Sequence, residues 1–140
     1  MLSLIFASAL MIECESFTNK GGWTLDPSSM GEMGSSYLMA HGYTIRDRNW
    51  RLGHKEIDIV AQKNGELVII EVKARRNDHF GDPADAVTDD KMRKLVQAAN
   101  AYVRYHRISW PVRFDIIAIT GEPGCQKVEH IEDAFYPPLD

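Results

Sequence analysis

Two apolar runs joined by an Asn-Gly pair constrain the fold more than any other feature of this sequence. The runs are EIDIVAQ (residues 56–62) and LVIIEVKA (residues 67–74), with KNGE between them. Asn-Gly favours two-residue hairpin turns, because both of its residues readily adopt a positive φ. The second run is too apolar for a strand at the solvent-exposed edge of a sheet. We therefore predict an antiparallel hairpin whose second strand lies inside a sheet.

The segments around this hairpin predict a mixed α/β fold. A helix should end just before Gly42, since Gly is favoured immediately past a helix C-terminus. YTIRDRNW (residues 43–50) predicts a strand, and a long amphipathic helix should begin near Thr88, a good N-cap residue. VRFDIIAIT (residues 112–120) and KVEHIEDAF (residues 127–135) predict further strands. The expected fold is a central mixed sheet of four to five strands flanked by helices.

The N-terminal part of the chain differs in character from the rest. A chain of 140 residues suits one ordinary core. Its first twelve residues are apolar, but no Lys or Arg precedes them, and a membrane span requires about 20 residues. A secretory signal is the alternative interpretation of this stretch. We predict that residues 1–30 form a leader, disordered or non-native, and that residues 31–140 form a single domain.

The charge distribution permits a nucleic-acid partner although the whole chain is acidic. The formal net charge is −4, yet residues 41–110 carry thirteen Lys and Arg against ten acids. Basic side chains in the middle of the chain can therefore form a local phosphate-binding surface. Cys14 and Cys125 lie far apart and the five His residues lack ligand spacing. This argues against a disulfide framework and against a structural zinc site.

The end of LVIIEVKA supplies an acid and a base on one face of the predicted strand. Side chains alternate along a strand, so Glu71 and Lys73 point to the same side. Pairing through the Asn-Gly turn can place Asp58 close to Glu71. Two carboxylates at a partly buried site repel each other unless one is protonated or a cation lies between them. Mg²⁺ or Mn²⁺ suits such ligands, and Lys73 could then orient or help deprotonate an attacking water, or neutralise charge on a phosphoryl oxygen.

Five arginines close to these residues in the sequence are candidate phosphate contacts. They are Arg46, Arg48, Arg51, Arg75 and Arg76. We expect the first three to lie near one another, and the last two follow Lys73 after one residue. A Glu-x-Lys pair alone is common and is usually a solvated surface pair. The apolar strand, the upstream Asp58 and the following arginines together favour a functional site.

The ordered set of segments resembles a known family. GYTIRDRNWRLGHKEIDIVAQKNGELVIIEVKARR (residues 42–76), AVTDDKMRKLVQAANAYV (residues 86–103) and VRFDIIAI (residues 112–119) look like the YraN-like family of small bacterial proteins. That family is a member of the PD-(D/E)xK restriction-endonuclease-like superfamily. The resemblance covers about residues 37–135. It implies an α/β, restriction-endonuclease-like core similar to that of archaeal Holliday-junction resolvases.

The resemblance also implies roles for individual residues. Asp58 and Glu71 match the metal positions of the superfamily, and Asp58, Glu71 and Lys73 together match its catalytic positions. Glu56 matches a recurrent acid of the family's Glu-Ile-Asp, where it either supports the metal ligands or is merely solvated.

Two departures from the family pattern concern the site. Family members usually have a glycine directly before the Glu-Ile-Asp, where this chain has Lys55. The family's first helix carries a Gly-Glu pair, but Glu32 stands one residue too close to the Tyr-Leu pair that follows. One residue rotates a helical side chain by about 100°. Glu32 therefore departs from the ligand position and is at most a residue behind the metal ligands.

The resemblance implies a cytoplasmic, Mg²⁺- or Mn²⁺-dependent endonuclease that hydrolyses phosphodiester bonds of DNA. Branched or repair-related DNA is the expected substrate, without a membrane partner, and a homodimer is compatible with the superfamily. Two alternatives remain open. One is a non-catalytic nucleic-acid-binding module on the same fold, and the other is a protein-interaction domain of a DNA-processing complex. Asp115, which interrupts an apolar strand, is better explained by a structural role.

Overall fold

A computed structural model describes residues 8–11, 27–75, 88–122 and 125–134. The predicted polar loop over residues 77–86 and Arg76 lie outside the described residues. The elements in chain order are β1 (Ser8–Met11), α1 (Pro27–Ala40), β2 (Thr44–Leu52), β3 (Lys55–Lys63), β4 (Glu66–Arg75), α2 (Asp89–His106), β5 (Val112–Glu122) and β6 (Cys125–Ile131).

The six described strands form one mixed sheet in the order β1-β6-β5-β4-β3-β2. Strands β4 and β5 are parallel, and every other neighbouring pair is antiparallel. Parallel neighbours need a long crossover, which α2 provides between them. The predicted α/β fold with a restriction-endonuclease-like core is confirmed. The sheet has one strand more than predicted, because Ser8–Met11 pairs along β6, with Ser8 opposite His130.

The two helices cover opposite faces of the sheet and define two apolar cores. Helix α2 packs Leu95 and Tyr102 onto the face formed by side chains such as Ile69 and Ile116. Helix α1 packs Tyr37 and Leu38 onto the other face, which includes Ile59, Ile70 and Ile117. Strands β3, β4 and β5 are therefore covered on both faces, which explains the continuous apolar runs in their sequences.

Local sequence signals set the boundaries of these elements as predicted. Asn64 and Gly65 have φ values of 52° and 77° and form the hairpin turn between β3 and β4. Gly42 follows α1 with φ at 85°. The Thr88 hydroxyl accepts a hydrogen bond of 3.3 Å from the Lys91 amide and caps α2. Neither of these two helices is both long enough and apolar enough to cross a membrane.

Candidate metal centre

The candidate site lies where the sheet splits between β3 and β4. The register of this hairpin runs from Lys63 opposite Glu66 to Ile59 opposite Ile70. Beyond that point β4 continues along β5 as far as Arg75, while β3 continues along β2. The two strands thus separate at Asp58 and Glu71. A split of this kind leaves room for side chains and solvent between strands that are otherwise buried.

Asp58 lies in this split and completes the hydrogen bonding of β4. Its Oδ2 accepts a hydrogen bond of 2.9 Å from the backbone amide of Val72. The carboxylate therefore takes the place of the strand carbonyl that β3 no longer supplies. Alternation along β4 orients Glu71 with Ile69, on the face covered by α2. Alternation along β3 is interrupted at Asp58, because Ile57 and Val60 both belong to the core on that face while Ile59 belongs to the other core.

The carboxylates of Asp58 and Glu71 are neighbours that interact electrostatically. The pKa of Asp58 is raised to about 6, chiefly by burial and then by the charge of Glu71. The hydrogen bond from Val72 acts in the opposite direction, and the more distant Glu56 adds a smaller upward contribution. An acid whose pKa is raised by a neighbouring carboxylate is characteristic of sites built for a proton or a cation.

Two lysines complete this group of charges. Lys73 Nζ lies 3.3 Å from Glu71 Oε1, and its side chain is only 17% exposed. Burial acts to lower the pKa of Lys73, but the amine of Lys91 and the carboxylates of Glu71 and Asp58 raise it overall. Lys91, in the first turn of α2, is an electrostatic neighbour of Lys73. The pKa of Lys91 is lowered, chiefly by the amine of Lys73 and then by burial.

The donor set suits a hard divalent cation that keeps some of its water. Asp58 and Glu71 offer carboxylate oxygens, the ligands that Mg²⁺ and Mn²⁺ prefer. Within the described ranges, no group of three or more His, Cys, Asp and Glu side chains is arranged to hold a metal ion. Mg²⁺ in enzymes is often bound by one or two carboxylates, with water and substrate phosphate as the other ligands. The residues present therefore fit such an ion.

The two other acids considered from the sequence lie at different distances from this centre. Glu56 is an exposed residue of β3 that influences the pKa of Asp58 and lies 3.9 Å from Arg51. Glu32 is exposed on α1, whereas Met33 and Gly34 face the sheet. Glu32 therefore points to the side of α1 away from the sheet, as the one-residue shift around the helix predicts. Its place behind the metal ligands stays a prediction.

The arginines of β2 do not form the single cluster that the sequence predicted. Arg46 lies on the α2 face, where it donates to the Tyr102 hydroxyl at 3.2 Å and to Gln62 at 3.0 Å. Arg48 lies on the α1 face, against Gly31. The reason is a register shift between Ile45 and Asp47, which inserts one extra residue and reverses the alternation.

The remaining arginines differ in how far the structure describes them. Arg51 is highly exposed and faces Glu56. The backbone of Arg75 lies in β4 opposite Thr120 of β5, so its position is set by the sheet. Arg48, Arg51 and Arg75 remain candidate phosphate contacts, whereas the guanidinium of Arg46 is already engaged by the fold.

Lys91 is the member of the charge group that the sequence reasoning missed. The residues of α2 that face the sheet are Leu95, Ala98, Ala99 and Tyr102. Lys91 precedes Leu95 by four positions, so it extends this stripe by one turn. The sequence does contain a signal for this role, because Lys91 lies at helical spacing from the buried residues of α2. Its significance depended on the position of α2 above the end of β4.

A second acid is buried on the opposite face of the sheet. Asp115 is fully buried, and Arg113 donates two hydrogen bonds of 2.9 Å to it. His130 Nε2 lies 2.7 Å from Asp115 Oδ2, and the Asp133 amide donates to Oδ1 at 3.0 Å. These contacts lower the pKa of Asp115 although burial alone would raise it. Asp115 thus has the structural role that the sequence favoured.

Comparison with known proteins identifies the family. The profile of the uncharacterised protein family UPF0102 matches residues 32–119. The UPF0102 protein of Phocaeicola vulgatus is 52% identical over 108 residues, covering 77% of this chain and 89% of the relative. A UPF0102 protein of Bacteroides fragilis is 56% identical over 103 residues, covering 74% and 85%. That of Parabacteroides distasonis is 46% identical over 115 residues, covering 79% and 95%. The chain therefore belongs to UPF0102, the YraN-like family that its sequence resembles.

Proposed function

We propose that this protein is a divalent-metal-dependent nuclease that hydrolyses phosphodiester bonds of DNA. The observation that carries the proposal is the contact between Asp58 and Glu71 at the split between β3 and β4. Although Lys73 pairs with Glu71, the Asp58 carboxylate is costly to ionise, and its pKa is raised to about 6. A divalent cation between the two carboxylates would remove this cost.

Asp58 and Glu71 would hold the cation, Mg²⁺ or Mn²⁺. Such an ion supplies a Lewis acid for the phosphoryl oxygen and lowers the pKa of a bound water. The chain itself supplies the orientation of the ligands. Val72 fixes Oδ2 of Asp58, and the pairing of β4 with β5 fixes the backbone of Glu71. Ligands held by a rigid sheet need little reorganisation when the substrate arrives.

Lys73 would act on the water or the phosphate beside these ligands. Its ammonium is anchored 3.3 Å from Glu71 and is mostly shielded from bulk solvent. Electrostatic stabilisation by a fixed charge is strongest in such a shielded position. Lys73 would therefore orient the attacking water or neutralise charge that develops on a phosphoryl oxygen.

The DNA backbone is the substrate that best suits the surrounding charges. Arg51 and Arg75 belong to β2 and β4, the two strands that flank β3, whereas Arg48 lies on the α1 face. Arginine contacts with phosphates position a nucleic acid without reading its sequence. Branched or repair-related DNA is the substrate class that this proposal favours, in keeping with the resemblance to the junction resolvases.

The position of Glu32 favours a second candidate function. A third acid from α1 does not reach the pair, because Glu32 points away from the sheet. With two carboxylates the site could bind nucleic acid without cleaving it. A non-catalytic DNA-binding module would show salt-dependent DNA binding and no stabilisation by Mn²⁺.

The experiment is a cleavage assay on branched, single-stranded and duplex DNA in Mg²⁺, in Mn²⁺ and in EDTA. We expect metal-dependent cleavage that falls by about 100-fold or more in Asp58→Asn and in Lys73→Gln, since each removes a transition-state contact. Lys94→Gln is the matched control, because Lys94 is exposed and pairs with Asp90. Cleavage that persists in the Asp58 and Lys73 variants would contradict the proposal.

A further inference from the structure

Helix α2 carries a lysine where its buried stripe meets the candidate metal centre. Lys91 lies one turn before Leu95, the first fully packed residue of the stripe. At this end of the helix the sheet offers Glu71 and Lys73 in place of apolar side chains. Apolar residues of α2 therefore face apolar residues of the sheet, and Lys91 extends this stripe at the end where the sheet carries Glu71 and Lys73.

The amines of Lys91 and Lys73 are neighbours, which is unfavourable unless other charges offset it. Each amine affects the pKa of the other, and the carboxylates of Glu71 and Asp58 act on both. Like charges this close repel in the partly shielded space between the helix and the sheet. The two acids offset that repulsion, so the four side chains form one cluster drawn from β3, β4 and α2.

The charge of this cluster becomes positive when the acids are neutralised. Two carboxylates and two ammonium groups cancel one another. A divalent cation on the carboxylates leaves an excess of two positive charges, which suits a phosphodiester anion. Lys73 is mostly buried, whereas Lys91 is exposed and accessible to a ligand from solvent.

We propose that Lys91 binds the backbone phosphate that lies against Asp58 and Glu71, so that α2 holds the substrate which β4 positions for reaction. This inference rests on the proposed function, because it assigns a substrate contact at the same site. It separates the two lysines by role. Lys91 binds a non-bridging phosphate oxygen, and Lys73 acts at the reacting atoms.

Lys91 and Lys94 provide a matched pair of variants on one helix. Both are exposed lysines in the first half of α2, but Lys94 forms an i,i+4 pair with Asp90 at 3.1 Å. Lys91→Gln removes the proposed contact, Lys91→Arg keeps a cation there, and Lys94→Gln removes the same charge elsewhere. Thermal unfolding of each variant would establish that it is folded, which we expect because these side chains are exposed.

The main measurement is binding of fluorescently labelled single-stranded DNA and a four-way DNA junction in Ca²⁺, a hard cation that also takes carboxylate oxygens, over a series of salt concentrations. We expect Lys91→Gln to weaken binding by about tenfold and to reduce the slope of log affinity against log salt by about 1. Lys91→Arg should restore most of the affinity and slope. In Mn²⁺, Lys91→Gln should raise KM for the cleaved DNA more than it lowers kcat, whereas Lys73→Gln should mainly lower kcat.

The outcomes separate this inference from the proposed function. Equal affinity and salt slope for Lys91→Gln and the wild type would overturn the role of Lys91 even if the protein cleaves DNA. An equal loss in Lys94→Gln would also overturn it, since the effect would then be one of general charge. A changed slope without any cleavage would support Lys91 as a phosphate contact and overturn the nuclease. A wild-type protein that does not bind DNA at low salt would overturn both.

Discussion

Asp58 and Asp115 lie in strands of the same sheet, yet their surroundings have opposite effects on their charge. Asp115 is fully buried, and hydrogen bonds from Arg113 and His130 lower its pKa. Asp58 is less buried, but its environment raises its pKa to about 6, because the neighbouring Glu71 adds to the effect of burial. Burial is therefore not what distinguishes the two acids. The difference lies in the groups that face them.

This difference separates a structural acid from a candidate functional one. The chain supplies the counter-charge of Asp115 from its own residues, so that charge serves folding. At Asp58 the chain adds a second carboxylate, which Lys73 and Lys91 offset only in part, since the pKa of Asp58 is still raised. Groups kept in an unfavourable state by the fold are candidates for function with a stated physical cause. Each prediction below tests one side of this contrast.

The largest effect on stability should come from Asp115→Ala. It would leave the partly buried guanidinium of Arg113 without its main partner and would remove the contact with His130. Removing one partner of a buried ion pair costs about 3–5 kcal/mol. Urea denaturation at neutral pH would measure the loss in the free energy of unfolding.

A surface acid provides the control for that measurement. Asp90 pairs with Lys94 in an exposed i,i+4 contact, so Asp90→Ala should cost less than about 1 kcal/mol. A loss for Asp115→Ala as small as that of Asp90→Ala would show that the buried network does not stabilise the fold.

Mn²⁺ should stabilise the protein through Asp58 and Glu71. A ligand that binds only the folded state adds about 2.7 kcal/mol at a concentration of 100 Kd. Protons compete with the cation for Asp58, so this stabilisation should be present above a pH of about 6 and should be lost below it. Thermal unfolding in Mn²⁺ and in EDTA, across that pH range, would measure it.

Two variants determine whether such stabilisation comes from the proposed ligands. Asp58→Asn should abolish it, because the amide is a weaker ligand than the carboxylate. Glu129→Gln on β6, which is separated from β3 by two strands, should leave it unchanged. Equal Mn²⁺ stabilisation in both variants would place the metal elsewhere on the protein.

Local signals predicted the part of this contrast that depends on neighbours in sequence. Asn64 and Gly65 fixed the hairpin register, and that register brings Asp58 to Glu71. Alternation along β4 then placed Lys73 on the same face. These features follow from the geometry of a two-residue turn and of a strand. They can therefore be predicted from this one sequence.

The features that were not predicted depend on the alternation of side chains along β2 and on tertiary packing. The extra residue between Ile45 and Asp47 sends Arg46 and Arg48 to opposite faces, and the sequence of β2 has no clear signal for this bulge. Lys91 joins the site only because α2 lies across the end of β4, which tertiary packing decides. The partner of β1 was likewise unpredictable, since pairing of Ser8 with His130 joins distant parts of the chain.

Asp58→Asn should stabilise the metal-free protein at pH 8. The raised pKa means that folded Asp58 keeps its proton between a pH of about 4 and about 6, while the unfolded chain has lost it. The free energy of unfolding therefore falls as pH rises through that interval and stays lower above it. An uncharged side chain avoids this loss, and it can still accept the hydrogen bond from Val72.

The expected gain is about 1–2 kcal/mol, below the full value of a two-unit shift because Asp58 retains contact with solvent. Urea denaturation in EDTA at pH 8 and at pH 4 would measure it, with the gain absent at the lower pH. A stability loss at pH 8 would mean that the Asp58 carboxylate is compensated in the metal-free protein, as Asp115 is.

Glu56→Gln should have the smallest effect and would test how far the environment of Asp58 extends. Glu56 is exposed, and its charge contributes less to the pKa of Asp58 than burial and Glu71 do. Its removal should lower that pKa by less than about one unit and change the free energy of unfolding by less than about 0.5 kcal/mol, since the 3.9 Å contact with Arg51 is solvated. NMR titration of the side-chain carboxyl carbons in EDTA would follow Asp58 directly. A shift as large as that produced by Glu71→Gln would show that Glu56 and Glu71 affect the pKa of Asp58 equally. The contrast with Asp115 would then involve three acids, not two.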